Sequence, residues 1–189
     1  NYTGNDTTTI SDAIGFDGSK VVGGYDFVGD GWISSLPLQG AGGSPLGSAW
    51  VFAAGDNDPL DCNGHGSHVA GTSAGFGVTD VGATYTGHWD STTPFSTMTI
   101  GPGVAPEADL YALKIGDCTT SVSFVAAALA LDFAVDPDGN GNPSDHLDVL
   151  NNSYGGAYGS PLEVLSGQMN LAAQAGVIIV MSAGNEGDT

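Results

Sequence analysis

From Val104 onward the chain alternates short and longer apolar runs, and this alternation restricts the fold more than any other feature. "ADLYALKIG", "LDVLNNS" and "VIIVMSAG" have the length and content of buried strands. "SVSFVAAALALDFAV" and "SPLEVLSGQMNLAAQAG" have the length of helices. The second carries its own boundaries. Ser160 is the N-cap, Pro161 stands at the first helical position, Glu163 closes a capping box, and Gly176 is the stop. Strands apolar on both faces, alternating with helices, predict an α/β fold: a mostly parallel sheet in a three-layer α/β/α arrangement. Such sheets bind ligands beyond the C-terminal ends of their strands. "NNSYGG" and "SAGNEG" stand at two such ends.

Upstream, "KVVGGYDFV" reads as a further strand, and a helix is predicted to begin near His65. Residues 1–18 are polar and turn-rich, with Asn1-Tyr2-Thr3 and Asn5-Asp6-Thr7 in the form of glycosylation sequons. Residues 29–61 are rich in Gly, Pro and Asp and too long for an idle connection. "TDVGATYTGHWDSTTPFSTMTIGPG" reads as a loop or hairpin excursion. The 189 residues suffice for one sizeable domain.

Charge narrows the partners. Against 21 acidic residues stand only Lys20 and Lys114, a net charge of −19. Such a surface repels nucleic acid and anionic membrane. No apolar run approaches the roughly 20 residues that a membrane helix needs. The 41% hydrophobic content argues against disorder. Abundant Gly and Thr and scarce Lys suit a secreted protein, in which Cys62 and Cys118 are free to pair; two unpaired buried thiols are the alternative.

"DCNGHGSHVAGTSAGFGV", Asp61 to Val78, has three readings. As a zinc site it offers Cys62, His65 and His68, but zinc needs further ligands, and His88 and His146 lack ligand spacing. As a G-x-S-x-G elbow centred on Ser73 it lacks the preceding strand, and the His comes first. In a helix, Ser73 would lie about 12 Å along the axis from His65. The third reading joins this stretch to distant ones. "GHGSHVAGT", "GVAPEADLYALKI", "VLNNSYGG" and "SAGNEG" occur in this order, with "GGYDFVGD" and "DCNGHG" ahead of them. In these motifs, from Lys20 to Asp188, the chain closely resembles the subtilisin-like serine proteases, the subtilases.

The resemblance implies roles. His65 is the general base, moving a proton from nucleophile to leaving amine. Asn185 is the side-chain donor to the oxyanion. Ser153, Tyr154, Gly155 and Gly156 form the substrate-binding edge, which pairs with the peptide backbone as an added strand. Tyr154 stands where Leu is more usual, and Ser67 where Thr is. Gly66 and Gly71 fit a helix passing close to other backbone, and His68 a packing or hydrogen-bonding role. "GVAP", Gly103 to Pro106, matches a structural turn.

The resemblance also places the triad Asp in an apolar strand upstream of "GGYDFVGD" and the Ser in a G-T-S helix start after the Asn motif. Neither pattern stands in the chain. Asp12, Asp17, Asp26 and Asp30 sit in turns or in the following strand and are set aside. The expectation is a partial subtilase catalytic domain over residues 1–189, incomplete at both ends and inactive alone. Its complete form would be a secreted, monomeric serine endopeptidase acting on polypeptides. The alternative is an inactive, calcium-stabilised relative that binds peptides or has a structural role.

Two further features accompany this. "DPDGNGNPSD" begins like a calcium loop, with Asp136, Asp138 and Asn140 at alternate positions and Gly141 at the turn. Leu147 stands where the closing Glu is expected, and Asp145 is the substitute. The predicted ligand set is Asp136, Asp138, Asn140, Asn142 and Asp145, with a solvated turn as the alternative. A disulfide is predicted between Cys62 and Cys118, closing a loop that contributes roughly 3–4 kcal/mol on the chain-entropy model.

Overall fold

The computed structural model describes residues 20–29, 55–119, 121–155, 164–185 and 187. It has the α/β character expected of the sequence. In chain order the main elements are β1 (Val21–Asp26), α1 (His65–Ala74), β2 (Leu110–Lys114), α2 (Phe124–Val135), β3 (Val149–Asn152), α3 (Val164–Ala175) and β4 (Ile178–Met181). The chain divides into two compact units, Asn1–Asp26 with Asp56–Leu113, and Phe27–Gly55 with Lys114–Thr189. Among the described residues no helix is long and apolar enough to cross a membrane.

In the first unit β1 pairs with β2. The Leu110 N–H donates to the Lys20 carbonyl at 2.9 Å, and further along the Gly24 backbone lies against the Ala112 carbonyl. Residue numbers therefore rise together, so the strands run parallel. Between α1 and β2 the chain makes the expected excursion. Val78 bridges both Thr84 and Ile100 in antiparallel fashion. Aromatic rings fasten it: Phe76 stacks on Trp89 with centroids 5.6 Å apart, and Tyr85 meets Trp89 edge-on. Lys20 holds its ammonium 4.2 Å from the Phe76 ring centre and donates to the Pro106 and Ala108 carbonyls, each at 2.7 Å. One of the chain's two cations is thus committed to internal contacts.

In the second unit β3 and β4 pair in parallel, Val149 against Ile178 and Asn152 against Met181. Helix α2 starts at Ser123, whose buried side chain accepts the Ala126 N–H. Its small residues Ala126, Ala127, Ala130 and Ala134 are buried along with Leu131. Such a stripe lets a neighbouring helix approach closely, and Ala127 and Leu131 share a core with Leu165 and Ala172 of α3 and with Val177. Leu150 and Ile179 pack against that core from the strands. Helix α3 ends at Gly176, which takes φ 119°, as its predicted stop requires. The predicted cap residues Ser160, Pro161 and Glu163 lie outside the described residues.

Helices α2 and α3 cover the Leu150 and Ile179 face of the β3–β4 pair, while Val149, Ile178 and Val180 are 53%, 61% and 44% exposed. Phe124, Val125 and Leu129 of α2 are likewise exposed.

Candidate active site

One candidate region, in the first unit, is the start of α1. Its N-cap is Gly64, at φ 98° in the left-handed region, with no side-chain cap of its own. The neighbours supply what glycine cannot. Asp61 accepts the Asn63 and Gly64 N–H groups on Oδ1, each at 2.8 Å, and the Ser67 N–H on Oδ2 at 2.7 Å. Burial, the largest influence, pushes the Asp61 carboxyl up, but the N–H groups of Gly64, Ser67 and Asn63 and the Ser67 hydroxyl together hold it below its ordinary value. Asn63 Oδ1 accepts the His65 N–H at 3.2 Å. His65 occupies the first helical position and is exposed. The helix predicted to begin near His65 begins there.

Three expectations around this helix change. His68 is exposed, not packed. Among the described residues a Cβ at Gly71 would meet nothing within 4 Å, and one at Gly66 would make only ordinary contact with Asp61, 3.5 Å away. The close approach falls instead on Gly75 and on Gly103 of the "GVAP" turn. There the N–H groups of Gly103, Val104 and Ala105 donate to the carbonyls of Gly75, Thr72 and Ser73 at 2.8, 3.1 and 2.8 Å. These carbonyls stand at the C-terminal end of α1, where intrahelical partners run out. The turn is therefore the C-terminal support of the His65 helix. Ser73 lies inside that helix, with no strand before it, so the hydrolase-elbow reading fails. Cys62 and Cys118 are both disulfide-bonded, which leaves Cys62 no thiolate for zinc. Asp26 is fully buried at the end of β1 and bridges Asp56 through backbone bonds of 2.8 and 3.1 Å. Asp12, Asp17 and Asp30 lie outside the described residues.

Another candidate region, in the second unit, lies beyond the C-terminal ends of β3 and β4. Ser153, Tyr154 and Gly155 follow β3 directly, and Ser182 to Asn185 follow β4. The parallel register brings the two segments to the same end of the sheet. They are joined there: the Ser182 N–H donates to the Asn152 carbonyl at 3.0 Å, and Ser182 Oγ donates to the Tyr154 carbonyl at 3.2 Å. Buried Asn152 ties the strands with Nδ2, donating to the Leu150 and Val180 carbonyls. Asn151 Nδ2 donates to Ser153 Oγ at 2.8 Å. The Tyr154 side chain packs against the helix core, and burial raises its phenol pKa. What this segment offers a ligand is thus backbone and Gly155, which is exposed, as is Asn185. Gly156 lies outside the described residues.

A separate feature of the second unit is the acidic loop between α2 and β3. Asp136, Asp138 and Asp145 each bring an oxygen to within 4.8 Å of the others. Asp145 joins the cluster although the pattern's closing Glu is absent. Leu147 turns its N–H back to the Ala134 carbonyl. The loop's own N–H groups already use some of these oxygens: Asn140 and Gly141 donate to Asp136, and Asp138 donates to Asp145. Asn140 and Asn142 use their side-chain oxygens on the N–H groups of Asn142 and Ser144. The three carboxylates fit a hard cation that prefers oxygen, while the two Asn side chains serve the turn.

Sequence reading missed Asp61, Ser182 and Asn152. Asp61 had a signal, since an Asp side chain accepts the backbone N–H two residues on in an Asx turn, and the turn pair Asn63-Gly64 stands there. Ser182 and Asn152 had none, because the Ser182 partner Tyr154 and the Asn152 partner Val180 each lie 28 residues away in the sequence.

Residues 43–189 match the model of the subtilase family. Subtilisin DY of Bacillus licheniformis is 33% identical over 138 residues, 73% of this chain and 40% of that protein. The thermostable alkaline protease of Halalkalibacterium halodurans is 32% identical over 160 residues, 84% of this chain and 34% of that protein. Subtilisin Savinase of Lederbergia lenta is 34% identical over 137 residues, 72% of this chain and 40% of that protein. The chain therefore spans 40% or less of each of these relatives.

Proposed function

Since the chain belongs to the subtilase family, we propose that it carries catalytic machinery of a serine endopeptidase, which hydrolyses peptide bonds of polypeptides through an acyl-enzyme. His65 is the general base, taking the nucleophile's proton and returning it to the departing amine. Asn185 donates its side-chain N–H to the oxyanion that develops on the attacked carbonyl. Ser153 to Gly156 pairs with the substrate backbone, and Gly155 and Gly156 leave room for a side chain. No residue of this chain is assigned to the nucleophile or the orienting carboxylate. The observation that best supports the reading is the junction beyond β3 and β4, where Ser182 links the Tyr154 carbonyl to the segment that leads to Asn185. An edge that binds a peptide and a donor that meets its carbonyl must share one end of a sheet, as these do.

The acidic loop is proposed to hold calcium through Asp136, Asp138 and Asp145, which would brace the connection between α2 and β3. Cys62 and Cys118 are proposed to pair with each other. A disulfide needs an oxidising compartment, and with the acidic surface this favours an extracellular location.

The test of the reading is Asn185→Ala. The magnitude carried over from a subtilisin is a loss of roughly 10²–10³-fold in kcat, and KM should hardly change, because the donor acts on charge that develops after binding. A variant with unchanged kcat would remove Asn185 from the mechanism.

A further inference from the structure

We propose that Asp61 is a positioning residue for His65: its carboxylate anchors the first turn of α1 and so fixes where the imidazole stands, a role that rests on His65 being the base. Helix α1 begins at a glycine, so the usual side-chain cap is missing. His65 is exposed and stands at the first helical position, where its N–H has no partner four residues earlier. Neither packing nor the helix ladder holds it.

What holds it is the turn before it. Asp61 Oδ1 accepts the N–H of Gly64, immediately before His65, and Oδ2 accepts that of Ser67, two residues after. The same Oδ1 accepts the Asn63 N–H, which sets Asn63 so that its own Oδ1 takes the His65 N–H. One carboxylate thus clamps the backbone on both sides of His65. Its negative charge also suits the positive end of the helix. The carboxylate lies over Gly66, where a Cβ would stand 3.5 Å from Oδ2. An imidazole at the first helical position follows its own Cα, so a turn that rotates carries the ring with it. A reacting group misplaced by about 1 Å loses on the order of 10²-fold in rate.

The experiment compares Asp61→Asn, Asp61→Ala and His65→Ala in the protein as its gene encodes it. Peptide hydrolysis is measured well below the melting temperature, and His65 ring resonances are read by NMR. Asp61→Asn keeps the shape and one acceptor but turns an NH₂ group toward the Ser67 N–H, so it separates geometry from folding should Asp61→Ala unfold. The expected result is a kcat lower by roughly 10-fold or more, KM within about twofold, and displaced His65 ring resonances. A kcat within twofold of wild type, or ring resonances that do not move, overturns the proposal even if the melting temperature falls. Wild-type turnover in His65→Ala would instead sink the base assignment, and Asp61 positioning with it.

Discussion

Gly103 shows how much one missing methyl group decides. A Cβ there would sit 2.6 Å from the Ala74 nitrogen, 2.7 Å from the Gly75 nitrogen and 2.8 Å from the Gly71 oxygen, all of them backbone. Backbone cannot rotate aside as a side chain does. Gly103→Ala is expected to destabilise the fold by about 1–3 kcal/mol, read as a lower urea midpoint with an unchanged slope; an unshifted midpoint would contradict this contact. The sequence marked the His65 helix as one needing glycines but placed the need on Gly66 and Gly71. Their spacing on the helix says nothing about which face meets a neighbour, and the neighbour is a turn nearly thirty residues later. His65 itself was legible because its motif is local. Asp61 offered only its local turn signal; its reach six residues forward to Ser67 lies past the range of an ordinary cap.

At the scale of elements, the helices and strands were legible where an apolar period and a boundary residue agreed. Helix α3 stops at Gly176 as read, and α2 spans the apolar core of its predicted run. The strands are shorter than their apolar runs, because a ladder needs a partner and the runs extend past theirs: β4 covers only Ile178–Met181 of "VIIVMSAG". The acidic loop carries the prediction at this scale. Calcium at about 100 times its Kd should raise the melting temperature by roughly 5–10 °C. Asp138→Ala should abolish the shift, because it removes one of the three oxygens of the cluster. Equal melting temperatures in calcium and in chelator would leave the loop a solvated turn.

For the molecule as a whole, the four separated motifs carried more than any single element. They named the subtilase family, and the family model matches residues 43–189. The charge carried a different message. With net −19 and Lys20 committed to carbonyls and a ring, little cationic surface remains for anionic partners. The central claim is that this chain supplies the base of a peptide-hydrolysing site, and one measurement reaches it most directly: labelling by a serine-directed peptidyl phosphonate, alongside hydrolysis of a peptide amide, for the protein as its gene encodes it and for His65→Ala. The account predicts labelling and turnover in the wild type, and turnover at least ~10²-fold lower in His65→Ala with its fold intact. A folded wild type that binds peptides but neither labels nor cleaves, or a His65→Ala variant as active as wild type, would contradict it.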